Sequence, residues 1–363
     1  LKIYEDLPLS TKTTIALGGK AKYFIECETT EEIFQAIDFS RNKNLPFYIL
    51  SGGSNIVFPD IDLKIVIINI QTKGVSKAEN GNDVILECQS GENWDSLVEY
   101  CNSEGLAGIE CLSGIPGYVG STPIQNVGAY GQEVKDVIQS VRCIDIEKKE
   151  LKIFSNEECE FDYRQSRFKG RDKGKYIITS VVLKFSKNKE PEIKYPELSK
   201  SIEINPQYNK STEIKEKLSI IRNTVISIRK QKSMVIDPNV RNTKSCGSFF
   251  TNPILEADKF SKFISDNKNL NFSKFISDNK NLNPPYYKFQ QSFKIPAAWL
   301  IEKSGFYKGY RYKGVGISNN HTLALVNYEG TSEQLMEFSS KIIDAVEDKF
   351  SIKLSPEPEI YQI

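Results

Sequence analysis

The segment GIECLSGIPGYVGSTPIQNVGAYGQE, residues 108–133, constrains this chain more than any other. It follows a strand-like DVILEC at 83–88 and a helix candidate around Trp94, Leu97 and Cys101. It precedes the strand-like VIQSVRCIDI at 137–146. A segment so rich in glycine inside a folded domain implies tight turns or backbone brought close to a ligand. An irregular connection of this length is uncommon in a compact domain unless it has a function. A shorter glycine loop, LSGGSN, runs directly out of the strand candidate PFYIL at 46–50.

The pattern around these loops is mixed α and β. KYFIEC (22–27) reads as a strand, and Thr29-Thr30-Glu31-Glu32 as a capping box opening a helix with Ile33, Ala36, Ile37 and Phe39 on its apolar side. KIVIIN (64–69) and YIITSVVLKF (176–185) are further strands. Ile214, Leu218, Ile221, Val225 and Ile228 recur at helical spacing and predict a helix over 212–231. A last helix is expected at 333–350, opened by Thr331-Ser332-Glu333-Gln334. The tail KLSPEPEIYQI is expected to be extended, because proline disfavours helix at the residue before it.

The 363 residues exceed what one hydrophobic core usually serves, roughly 250–300 residues. Two or three domains are therefore expected. The net charge of +1 excludes a broad electrostatic attraction to nucleic acid or an anionic membrane. No apolar run approaches the roughly 20 residues of a transmembrane helix, and the first residues, LKIYEDLPLS, lack the apolar stretch of a signal peptide. The seven cysteines, Cys27, Cys88, Cys101, Cys111, Cys143, Cys159 and Cys246, are odd in number and form no CxxC pair. They read as buried free thiols of a reducing compartment, and a cytoplasmic location is expected. One histidine, His321, excludes a multi-histidine metal site, so no metal is expected.

FSKFISDNKNLN occurs twice without a difference, at 260–271 and 272–283. Two copies do not make a solenoid. Twelve residues rotate a helix register by about 120°, so one continuous helix cannot present both copies on one face. One copy is expected to do the structural job and the other to be a tolerated surface insertion.

Neither G-x-G-x-x-G nor G-x-x-x-x-G-K-[ST] is present, which removes the dinucleotide fingerprint and the P-loop. Gly52 and Gly53, flanked by Ser51, Ser54 and Asn55, can instead aim backbone N–H groups into a common space. Such a cradle suits a pyrophosphate.

LSGGSN, SGIPGYVGSTPIQNVGAYGQE, DYRQSRF, SCGSFFTNP, AAWLIEKSGFYKG, HTLALVN and PEPEI stand in this order along the chain. In these motifs the chain resembles the UDP-N-acetylenolpyruvoylglucosamine reductases, the MurB family, from about residue 12 to the end. The resemblance implies an α+β protein: a two-part FAD-binding region of the VAO/PCMH-like type, 1–70 and 71–230, followed by a C-terminal α/β substrate-binding domain, 231–363. It implies NADPH-dependent, FAD-mediated reduction of UDP-N-acetylglucosamine enolpyruvate to UDP-N-acetylmuramate. Hydride would pass from flavin N5 to the vinyl carbon, and a serine would supply the proton.

Residue by residue, the resemblance implies cofactor contacts at Ser51, Gly52, Gly53, Ser54 and Asn55, and at Ser113, Gly117, Gly120, Ser121, Asn126 and Gly128. Tyr163 would lie by the flavin. Arg164 would meet the enolpyruvyl carboxylate, for which a planar guanidinium fork is suited. Ser248 would be the proton donor and Glu359 the C-terminal catalytic glutamate. Tyr195, Lys232 and Asn252 would contact substrate. Tyr195 lies in residues 187–211, which fold over the substrate in one subclass of the family. At His321 other members carry a different polar residue, so a substrate contact and a structural histidine both stay open there. A monomer is expected. A flavin oxidase on another substrate and a flavin-binding regulator without turnover are the competing readings. The match of substrate-side residues disfavours the first. The presence of Arg164, Ser248 and Glu359 disfavours the second.

Overall fold

A computed structural model describes residues 1–267 and 286–362. The chain forms two compact units. Unit 1 comprises Leu1–Leu9, Gly19–Gly53 and Ile61–Val235; unit 2 comprises Ser10–Gly18, Ser54–Asp60 and Ile236–Ile363.

Unit 1 contains two large sheets and a short two-stranded hairpin, Gly128–Ala129 with Gln132–Glu133. The first has the strand order Lys2–Pro8, Lys20–Cys27, Leu63–Ile70, Phe47–Leu50. Its first pair is antiparallel and the others are parallel. Leu63–Ile70 is buried at every position but Lys64, as expected of a parallel strand covered on both faces. The helix Thr30–Asn42 begins where the capping pattern predicts, with the Thr29 hydroxyl accepting from the Glu32 N–H at 3.2 Å. Ile33, Ala36 and Ile37 on its inner side join Ile25, Val66 and Ile68 in one core.

The second sheet is antiparallel, in the order Glu150–Ser155, Ile138–Asp145, Tyr176–Ser186, Asp83–Gln89, Val75–Asn80. Alternation along Asp83–Gln89 buries Val84, Leu86 and Cys88. The helix Trp94–Glu104 contributes Trp94, Leu97, Val98 and Cys101 to the same core. The long helix is Ile214–Gln231. Its stripe of Leu218, Ile221, Val225 and Ile228 is buried, and the last three residues share a cluster with Leu198, Ile202 and Cys111. Residues 187–211 thus carry a short helix, Pro196–Glu203, packed by Leu198 and Ile202.

Unit 2 gathers two early pieces of chain onto the C-terminal part. Asn327 donates through its amide to the carbonyls of Ile15 and Ala16 at 3.1 and 3.2 Å. The Asp60 carboxylate accepts from Gly18 N–H at 2.7 Å and from Ser332 N–H at 2.5 Å. It thereby joins both pieces to the start of the helix Ser332–Phe350. That helix has the expected capping box between Thr331 and Gln334. Leu335, Phe338, Ile342, Val346 and Phe350 face a core with Trp299, Phe249 and Phe250. The tail is extended, and Glu359–Ile360 pairs in parallel with Ile56–Val57.

The first copy of the repeat is described through Asn267 and forms most of the helix Ala257–Asp266. Phe260 stacks on Phe293 at 3.9 Å, and Phe263 meets the edge of Trp299 at 6.2 Å. The second copy lies outside the described residues. Because the copies are identical, removing either leaves the same chain. Changing a surface loop's length alters closure entropy by about 0.6 kcal/mol per doubling. A chain shortened by these residues is therefore expected to melt cooperatively near the full-length temperature and to keep its flavin. A collapse of either property in calorimetry and absorbance would show that both copies carry structure.

All seven cysteines are free and buried, as expected. Burial pushes the thiols of Cys27, Cys88, Cys159 and Cys246 up to about 12, which leaves them protonated and unreactive at neutral pH. Among the described residues no helix is long and apolar enough to cross a membrane. No group of three or more His, Cys, Asp or Glu there could hold a metal ion.

Candidate active site

In unit 1 the two glycine loops touch. A Cβ placed on Gly52 would lie 2.8 Å from the Gly117 Cα, closer than real side chains approach. Each glycine is therefore a condition of the other's position. Gly53 and Gly117 both take positive φ, 63° and 119°. Asn69 holds the first loop, its amide donating to the carbonyls of Leu50 and Ser51 at 2.8 and 3.1 Å. Gln71 links Asn69 to the Tyr118 hydroxyl of the second loop. Among the described residues the Ser51 hydroxyl is buried without a hydrogen-bond partner. A buried orphan hydroxyl is costly unless a ligand satisfies it. Together with two closely packed glycine backbones, it fits a cofactor carrying a pyrophosphate.

The other expected cofactor residues divide by what their polar atoms already do. Ser113 donates to the Glu110 carbonyl at 2.6 Å and Ser121 to the Tyr118 carbonyl at 2.7 Å. Gly120 lies against Ser90, where a Cβ would come within 2.4 Å of the hydroxyl. Asn126 is fully buried, and both ends of its amide are engaged by protein groups. Tyr163 and Arg164 form a tight turn between Asp162 and Gln165. Arg164 donates to the Gly128 carbonyl at 2.7 Å and lies over the Tyr163 ring at 5.4 Å.

Tyr130, Tyr195 and Lys232 also meet in unit 1. Tyr130 and Tyr195 make an edge-to-face pair at 5.3 Å, and the Lys232 ammonium is 5.8 Å from the Tyr130 ring. Lys232 is ion-paired with Glu197 of the helix Pro196–Glu203. Burial pushes the Tyr130 phenol up to about 12, so it stays a neutral donor.

Sequence reasoning passed over Arg229, on the same helical turn as Lys232. Its guanidinium is buried, and burial lowers its pKa from the ordinary arginine value. One amino group donates to the Met234 carbonyl at 3.0 Å, while Nε is buried with no partner among the described residues. Gly114 lies beside it, where a Cβ would sit 3.4 Å from Nε. The nearby Asp95 is committed elsewhere: it takes Arg222 in a bidentate pair at 2.6 and 2.8 Å and the Gly114 N–H at 2.6 Å. Among the described residues Arg229 is thus a buried cation lacking a bonded anion. The only sequence signal was its closeness to Lys232.

Burial raises the Asp95 carboxyl, but Arg222 and the Gly114 N–H outweigh it and hold the group below the usual carboxylate range. A depressed folded pKa contributes stability that is present above the unfolded value, about 4, and is lost as pH falls through the folded one. Asp95→Asn is therefore expected to lower the melting temperature at pH 7. The difference from the parent should shrink as pH falls below about 4. A deficit constant with pH would disprove this account.

Unit 2 assembles a second set. Phe249 donates to the Leu323 carbonyl at 2.7 Å and accepts from Glu357 N–H at 2.8 Å, and Phe250 bridges to Pro356. Ser248 sits between this clamp and Gly247, whose φ is 72°. Glu359 N–H donates to the Asn55 carbonyl at 3.0 Å, and the Asn55 amide donates to the Glu357 carbonyl at 3.4 Å. Asn55, Ser248 and Glu359 are thus carried by three neighbouring segments. Asn252 accepts from Ala297 N–H at 2.8 Å, at the start of the helix Ala297–Lys303. The His321 Nδ1 accepts from Leu323 N–H at 3.1 Å.

Residues 237–361 match the family described as UDP-N-acetylenolpyruvoylglucosamine reductase, C-terminal domain, and residues 21–152 match an FAD binding domain. The UDP-N-acetylenolpyruvoylglucosamine reductase of Thermobifida fusca is 38% identical over 356 residues, spanning 97% of this chain and 96% of the relative. The chain belongs to the UDP-N-acetylenolpyruvoylglucosamine reductase family. The member from Flavobacterium johnsoniae is 35% identical across 99% of this chain and 100% of its own. The crystal structure of the Thermus caldophilus reductase aligns over 99% of both chains with a TM-score of 0.63 at 22% identity. That likeness supports the expected α+β fold, an FAD-binding region followed by the reductase family's C-terminal domain. As a member of this family, the chain is a flavoprotein oxidoreductase of peptidoglycan precursor synthesis that uses FAD and NADPH.

Proposed function

We propose that the chain reduces the enolpyruvyl ether of UDP-N-acetylglucosamine to UDP-N-acetylmuramate, with the residues above in defined roles. Family membership across nearly the whole chain carries this reading. FAD, when bound, would supply the hydride chemistry that no side chain can perform, from flavin N5 to the vinyl carbon.

The protein's part is placement and electrostatics. The Gly52 and Gly117 loops would hold the pyrophosphate, with Ser51 donating its orphan hydroxyl. Arg164 would bind the enolpyruvyl carboxylate. As hydride reaches the vinyl carbon, negative charge develops toward that carboxylate. Preorganised donors at that position lower the barrier, a role for Arg164 and for Glu359 acting as a hydrogen-bond donor. Ser248 would give its proton to the neighbouring carbon. Arg229 is a ready anion partner on the substrate or cofactor side, since a buried cation gains most from a bonded anion. Tyr195 would reach the substrate from residues 187–211, as in the subclass where that segment covers it. Lys232 would leave Glu197 for a substrate phosphate, and Asn252 and His321 would add polar contacts. The three-part division at 1–70, 71–230 and 231–363 belongs to the same reading, with a sheet for each of the first two parts.

The test is a two-step anaerobic titration followed by flavin absorbance. NADPH is expected to bleach the flavin, and UDP-N-acetylglucosamine enolpyruvate to restore it. Bleaching without recovery would reject the substrate, and a protein without flavin would reject the whole reading.

A further inference from the structure

Arg164 stands in an improbable place. It occupies the second loop position of a two-residue turn closed by hydrogen bonds between Asp162 and Gln165 in both directions, at 3.0 and 3.2 Å. Its φ is 53°, in the left-handed region where a long side chain is disfavoured and glycine or asparagine is usual. A residue keeps such a conformation only when its surroundings over-determine it.

The surroundings converge on Asn126. Its amide nitrogen donates to the Asp162 carbonyl at 3.0 Å and to the Glu133 carboxylate at 2.9 Å, and its oxygen accepts from Lys135 N–H at 3.2 Å. Asp162 is the first residue of the Arg164 turn. Glu133 pairs with Gly128 in the short hairpin Gly128–Ala129 and Gln132–Glu133, and the Gly128 carbonyl receives the Arg164 guanidinium. A Cβ at Gly128 would lie 3.2 Å from the Arg164 Nη1. Asn126 therefore grips both the backbone that carries Arg164 and the hairpin that receives its side chain. No donor of its amide is left over for a cofactor.

We propose that Asn126 is a positioning residue for Arg164, acting on the enolpyruvyl-sugar step and not as a cofactor ligand. This rests on the reading of Arg164 as the carboxylate-binding residue. Asn126 itself has a φ of 47°, which Gly and Asp tolerate. Asn126→Gly removes the grip, and Asn126→Asp keeps the size while losing both donors.

The experiment uses the full-length holoprotein. It measures flavin content, melting temperature, the rates of flavin reduction by NADPH and reoxidation by the enolpyruvyl sugar, and equilibrium binding of that sugar to the oxidised protein. Misplacing a substrate-aligning group by about an ångström costs about a hundred-fold in rate. Both variants are expected to keep stoichiometric flavin and to slow reoxidation by about that factor, far more than reduction. Sugar affinity should weaken alongside. In an Arg164→Ala background the Asn126 changes should add almost nothing, since coupled residues are not additive.

Loss of flavin in both variants would overturn the proposal, as would effects that multiply fully with Arg164→Ala. If one variant fails to fold, the other decides. If Arg164→Ala alone leaves sugar binding and reoxidation intact, the reading of Arg164 fails, and Asn126 with it. An effect of Arg164→Ala without one of Asn126 removes only the present proposal.

Discussion

Ser248→Ala is expected to leave flavin reduction by NADPH at its parental rate and to slow reoxidation by the enolpyruvyl sugar by orders of magnitude. Proton transfer by a positioned side chain contributes about 10²–10⁴-fold. A serine hydroxyl has so high a pKa that only fixed geometry beside a strongly basic carbon makes it useful. The structure provides that fixity. Gly247 turns the chain with a φ of 72°, and the next residue, Phe249, is fully buried and bonded through both its N–H and its carbonyl. The hydroxyl makes no hydrogen bond among the described residues, so its removal should leave the melting temperature within about a degree or two of the parent. Single-turnover absorbance separates the two half-reactions. Equal slowing of both would mean a damaged fold, and undiminished reoxidation would move the proton donor elsewhere.

Gly52→Ala is expected to produce a protein that binds flavin far more weakly, with a dissociation constant raised about a hundred-fold or more, equivalent to about 3 kcal/mol. The new methyl would meet the Gly117 Cα at 2.8 Å. That neighbour is backbone, so no side chain can swing away and the two loops must separate. Forcing extra volume into a packed position costs about 1–3 kcal/mol of stability, and the separation also opens the cradle. Gly81→Ala is the control. Gly81 has a φ of 60° but nothing within 4 Å of the added Cβ, so it carries backbone strain without a clash and should retain flavin. Fluorescence quenching on flavin titration measures both. If Gly52→Ala holds flavin as tightly as the parent, the loop at 51–55 is not the cradle.

Much of this protein is decided by local chemistry and is therefore legible in its residues. The helix Ser332–Phe350 starts at Thr331 because a hydroxyl and a glutamine three positions apart satisfy orphan N–H groups in any context. The stripe from Leu218 to Ile228 faces inward because helical spacing aligns it. The order of the glycine and GSFF motifs points to the family, and with it the cofactors and the reaction class, without any coordinates.

Other features depend on partners far away in the chain, and no local pattern encodes them. Residues 10–18 and 54–60 join unit 2 because Asn327 donates to the carbonyls of Ile15 and Ala16, and Asp60 accepts from the N–H groups of Gly18 and Ser332. Asn126 looks in sequence like any polar residue of a glycine loop, yet its amide is used up by Glu133 and the Asp162 carbonyl. Arg229 reads as one more surface charge at a helix end until the packing of Gly114 and Tyr130 around it shows a buried cation. Local sequence determines which conformations a segment prefers and which chemistry its side chains can offer. Tertiary structure decides which of those groups are already satisfied, because burial and hydrogen-bond partners are properties of contacts between residues remote in the chain.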